Sequence, residues 1–90
     1  MKRPNSKRVL KDLGRCVAEL RAAKGMTQAK LADRLRVTGR YVQSIEAGRE
    51  NLTVESLTLL ASVLDAAVAT LFEPPTSRTV RRGRPPAEKK

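Results

Sequence analysis

Ninety residues carry 19 Lys and Arg against 9 Asp and Glu, a net charge of +10, with no histidine and a single cysteine. That inventory excludes an intrachain disulfide, a cysteine or histidine metal centre and histidine acid–base chemistry, and a chain this short holds one small domain with tails. The charge is uneven, +6 over residues 1–25, −1 over 26–75 and +5 over 76–90, so a nearly neutral body with two basic arms suits a polyanion whose phosphates the arms neutralise.

Residues 1–8, with Pro4, Asn5 and Ser6, read as a flexible basic arm. No apolar run follows it, so it is not a secretory signal, and nothing in the chain approaches the roughly 18 apolar residues of a membrane helix. A cytoplasmic, nucleoid-associated protein without a membrane partner is expected. Leu10, Leu13, Val17 and Leu20 recur at helical spacing and predict a first helix from about Val9 to Lys24, stopped by Gly25. Cys16 falls inside that pattern and reads as a small core filler.

Thr27 and Thr38 each stand where a hydroxyl caps a short amphipathic helix, the first over Gln28–Leu35 and the second from Gly39 to about Ala47. Leu31, Ala32 and Leu35 form one buried face, and Val42 and Ile45 the other. Ala32 is small enough to let the following helix approach closely. Gly48 ends the third helix, Asn51 and Leu52 make a turn, and Thr53 caps a fourth helix carrying Leu57, Leu60, Ala61 and Leu64. Asp65 interrupts it. A short fifth helix over about Val68–Phe72 follows, and Pro74-Pro75 closes the unit. No alternating strand pattern is present, so the chain is expected to be all-α: basic arm 1–8, domain 9–75, and a disordered basic tail 76–90.

Thr27-Gln28, Leu31-Ala32, Val37-Thr38, Tyr41-Val42, Ile45-Glu46, Gly48 and Thr53–Leu57 together resemble the Cro/CI-like (Xre-type) helix-turn-helix of phage repressors and bacterial regulators, over about residues 10–73. The resemblance implies a five-helix, lambda-repressor-like domain whose third helix enters the major groove of double-stranded DNA. It implies that Gln28 bonds a phosphate with help from its helix N-terminus, and that Thr38 and Gly39 bring backbone N–H groups to another. Arg40, Tyr41, Gln43 and Ser44 are then the outward side chains of the recognition helix. Arg40 is the leading candidate for reading a base edge, ahead of Ser44 and Gln43, with phosphate binding as its alternative. Tyr41 is better suited to packing, with its hydroxyl reaching a phosphate, and Arg49 to a backbone contact. Glu46 is expected to serve a nearby cation or turn amide, because a carboxylate among phosphates is repelled.

Three positions depart from the family pattern. Arg36 stands where a glycine usually ends the second helix, where a left-handed conformation costs roughly 1 kcal/mol, so either the turn differs or the positive charge offsets the strain at a phosphate. Lys30 replaces an acid near the start of the same helix. Gly39 replaces the side chain that commonly opens the recognition helix, which removes direct readout at that position. In the tail, Arg82, Gly83 and Arg84 with Pro85 resemble an AT-hook core, which lays arginines in a narrow A·T-rich minor groove; a plain polycationic tail is the alternative.

A homodimer on two half-sites is implied, with Val68, Leu71 and Phe72 as candidate interface residues, and Phe72 is left open between core and interface. The expected role is a regulator of transcription, controlled by its own concentration, by dimerisation or by a partner such as RNA polymerase or another regulatory protein, since no ligand-sensing domain follows. Restriction–modification controllers are similar through Ile45–Leu60, notably at Asn51-Leu52-Thr53. An antitoxin-like autorepressor that inhibits a partner protein and a non-specific architectural DNA-binding protein are the alternatives. No catalytic residues, metal or cofactor are expected: Ser44 and Ser56 have no histidine to activate them.

Overall fold

The computed structural model describes residues 5–76. Four α-helices follow one another, α1 (Ser6–Ala23), α2 (Gln28–Leu35), α3 (Gly39–Glu46) and α4 (Val54–Val63), and a 3-10 segment, Val68–Phe72, completes the chain order. Five helical elements were expected, and the fifth is this tight 3-10 turn rather than an α-helix. The tail residues Arg82, Gly83 and Arg84 lie outside the described part of the chain.

Local chemistry sets each helix start. The Lys30 amide donates to Thr27 Oγ1 (3.0 Å), the Tyr41 amide to Thr38 Oγ1 (3.1 Å) and the Ser56 amide to Thr53 Oγ1 (3.0 Å). Each such cap contributes about 1 kcal/mol. The first helix departs from expectation. Asn5 Oδ1 accepts from the amides of Lys7 (3.0 Å) and Arg8 (3.3 Å), so α1 begins at Ser6 and Lys7 and Arg8 belong to it rather than to an arm. The apolar stripe could not show this, because Ser6, Lys7, Arg8 and Val9 are all exposed.

The helix ends share one device. At Gly25, Arg36, Gly48 and Asp65 the backbone turns left-handed, with φ of 71°, 61°, 80° and 56°. At each, the next residue's amide reaches back five positions, as Val37 does to the Ala32 carbonyl (3.0 Å) and Arg49 to the Ser44 carbonyl (2.9 Å). Arg36 therefore makes this stop without the glycine that the resemblance leads one to expect there.

These stops fold the apolar stripes onto one aliphatic core. Leu13 and Val17 of α1, Leu31, Ala32 and Leu35 of α2, Val42 and Ile45 of α3, and Leu57, Leu60, Ala61 and Leu64 of α4 are buried together. Leu71 joins them with no exposed surface, which removes it from the candidate dimer face. Phe72 points out at 49% exposure, and Val68 is half-buried against the core. Cys16 is the filler it was expected to be. Its thiol donates to the Thr70 carbonyl (3.3 Å), and burial, with the Glu19 and Glu73 carboxylates, pushes its pKa up. Among the described residues no helix is long and apolar enough to cross a membrane.

Candidate nucleic-acid interface

Helix α3 divides cleanly. Val42 and Ile45 are buried, while Arg40 and Gln43 on the opposite side are exposed and Ser44 is half-exposed beside them. Tyr41 is half-buried and packs on the core, lining a groove with Leu35, Val37, Leu52 and Leu59, which bears out its packing role. Thr38 fixes the helix start through its cap. At Gly39 nothing approaches within 4 Å of where a Cβ would sit, so this first turn is open. The glycine is not required by packing.

Lys30, Arg34, Arg36, Arg40 and Arg49, all the Lys and Arg of residues 26–75, are exposed. The expected contacts thus remain available to a ligand at Arg40, Gln43, Ser44 and Arg49. Gln28 sits as the first residue of α2, half-buried rather than fully outward, and its Nε2 donates to Glu46 Oε1 (2.8 Å).

The far end of α3 is closed. A Cβ on Gly14 would lie 2.5 Å from the Ile45 carbonyl oxygen and 2.6 Å from that of Glu46, so α1 and the last turn of α3 touch backbone to backbone. At Gly48 a Cβ would meet Lys11 Cα at 2.8 Å. An ion pair adds to these contacts. Arg21 Nε donates to Glu46 Oε2 (2.6 Å), Nη2 to Oε1 (3.1 Å) and Nη1 to the Met26 carbonyl (2.8 Å). The pair is largely shielded, with side-chain exposures of 17% for Arg21 and 8% for Glu46. Glu46 was expected to serve a cation, and Arg21 is that cation. Its identity was not evident from the sequence, where Arg21 reads as one more charge on α1.

Sequence reasoning also passed over Gly14. A signal existed: glycine inside an otherwise regular helix costs about 0.5–1 kcal/mol relative to alanine, so its presence points to a close approach. The candidate dimer residues are now separated, with Phe72 outward, Val68 half-buried and Leu71 in the core. Phe72 and the 40%-exposed Val9 flank a groove of about 290 Å³ that also touches Leu10 and Leu52.

Residues 17–71 match the model of the Helix-turn-helix family. No curated protein matches the chain. Among solved structures, the restriction-modification controller protein C.AhdI from Aeromonas hydrophila is 35% identical, with 70% of this chain and 96% of that one covered and a TM-score of 0.67. The clp gene regulator ClgR from Corynebacterium glutamicum is 31% identical, with 79% and 87% covered and a TM-score of 0.68. Hydroxypropylphosphonic acid epoxidase from S. wedmorenis is 28% identical with a TM-score of 0.72, but only 36% of that enzyme is covered, so the likeness concerns one part of it.

Proposed function

The chain belongs to the helix-turn-helix family of Cro/CI-like DNA-binding transcriptional regulators, and we propose that it binds a specific double-stranded operator with α3 in the major groove. The observation that carries this reading is the outward set on α3. Arg40, Gln43 and Ser44 point away from a helix whose other side is locked into the core. Arg40 takes guanine O6 and N7, and Ser44 and Gln43 read beside it. Gln28, the amides of Thr38 and Gly39, the Tyr41 hydroxyl and Arg49 hold the flanking phosphates and set the register of α3.

One such domain covers too few base pairs for tight specific binding. Two copies on half-sites about 34 Å apart supply the rest, joined through the face that holds Phe72 and Val68. The basic tail with Arg82, Gly83 and Arg84 adds affinity for phosphates without regard to sequence. The likeness to a controller protein and to a gene regulator supports regulation of transcription as the role.

Selection from a random duplex library, followed by footprinting and a mobility-shift salt series, tests the proposal. The expected result is a selected site with two half-sites, bound at least about a thousandfold more tightly than random duplex. Removing residues 77–90 should weaken binding to all duplexes and flatten the salt dependence. Equal affinity for every duplex would replace the reading by that of a non-specific architectural protein.

A further inference from the structure

We infer that Glu46 is a positioning residue for DNA binding, acting through Gln28 at the opposite end of the helix-turn-helix. The inference rests on the reading of Gln28 as a phosphate contact. Gln28 and Glu46 lie 18 residues apart, one opening α2 and the other closing α3, and Nε2 of Gln28 meets Oε1 of Glu46 at 2.8 Å. A carboxylate can only accept, so it selects the NH2 end of the amide and fixes which way the side chain is turned. The amide gives one N–H to Glu46 and keeps the second for a phosphate oxygen.

A long polar side chain held in one rotamer before binding loses less freedom when the phosphate arrives. The arrangement also needs Arg21. A bare carboxylate hydrogen-bonded to a phosphate-binding group would repel the DNA. Here Arg21 covers both oxygens of Glu46, at 2.6 Å and 3.1 Å, and is itself tied to the Met26 carbonyl in the loop before α2. Burial strengthens this neutralisation, since solvent does little to screen a pair with 17% and 8% exposure. The network therefore joins α1, the start of α2 and the end of α3 through one carboxylate, and it delivers a fixed donor at the phosphate side.

A double-mutant cycle on the full chain reads this directly, using a random-sequence duplex at low salt, with folding of each variant checked by circular dichroism. Q28A should weaken binding about tenfold, the size of one hydrogen bond to a charged group. E46Q should weaken it several-fold when Gln28 is present and by less than about twofold in the Q28A background, because its effect passes through Gln28. Equal losses in both backgrounds would show that Glu46 only supports the fold, and would overturn the inference while leaving Gln28 on the phosphate. No loss for Q28A would instead remove the phosphate contact, and the inference with it. Should E46Q not fold, E46D keeps the charge for Arg21 with a shorter reach and enters the same cycle under the same criteria.

Discussion

The two ends of α3 are built on opposite terms. At its N-terminal end Gly39 has open space around it, Arg40 is exposed, and one threonine hydroxyl holds the first turn. At its C-terminal end Gly14 admits the carbonyls of Ile45 and Glu46 at distances no Cβ would allow, Gly48 lies on Lys11, and the Glu46 side chain is largely shielded in an ion pair. The closed end sets the angle at which the helix leaves the body. The open end carries Arg40 and Gln43, exposed side chains that nothing among the described residues holds. Backbone contacts at the closed end should therefore show their loss as lost stability, Glu46 acting on binding through Gln28, and changes at the open end as lost binding.

The largest effect is expected from Gly14→Ala. The added methyl meets backbone, which cannot rotate away, so α1 and α3 must separate and the Arg21–Glu46 pair with them. A loss of about 3 kcal/mol is expected, the upper range for overpacking, and urea unfolding monitored by circular dichroism measures it. A loss below about 1 kcal/mol would mean the helices have room to slide and that the closed end is not rigid. Arg40→Ala is the counterpart at the open end. It should leave unfolding unchanged and cost about 1–3 kcal/mol at a selected operator, with little change on random duplex. Equal losses on both duplexes would move Arg40 from base to phosphate.

This contrast also explains what could be read in advance. The threonine caps at 27, 38 and 53, the apolar stripes and the outward set on α3 are local patterns, fixed by residues three or four apart. The closed end is not local. Arg21 and Glu46 are 25 residues apart, and nothing near either one in sequence names the other. Glu46 could be read as structural from charge alone, while its partner depended on how α1 crosses α3. Leu71 was placed on the wrong side, and Phe72 left open, for a different reason. Five residues of 3-10 helix hold too few turns for a stripe to declare which side is buried. The start of α1 was missed because Asn5 caps a turn with no buried residue in it.

Gly39→Ala should act in the opposite direction from Gly14→Ala, although the substitution is the same. Its methyl enters open space and its backbone is ordinary helix, so the main effect is to restrict the unfolded chain. A gain of about 0.4–1 kcal/mol is expected, seen as a rise of a few degrees in Tm. A fall in Tm would show that the first turn of α3 is more crowded than its geometry indicates.

The smallest effect is expected from Arg36→Gly, at the left-handed stop of α2. Its φ of 61° costs a side chain about 1 kcal/mol, while a glycine there would lose about 0.5–1 kcal/mol of stability through its freer unfolded chain. The two terms nearly cancel, so Arg36→Gly should change stability by less than about 0.5 kcal/mol. Arg36→Val keeps the left-handed requirement and adds a branched Cβ, which that region tolerates poorly. It should destabilise by more than 1 kcal/mol relative to Arg36→Gly, by about 1–2 kcal/mol in all. If valine and glycine behaved alike in thermal unfolding, the stop would not depend on φ at residue 36, and the bonds from Arg36 to Asp33 (3.2 Å) and from Val37 to Ala32 (3.0 Å) would be what ends α2.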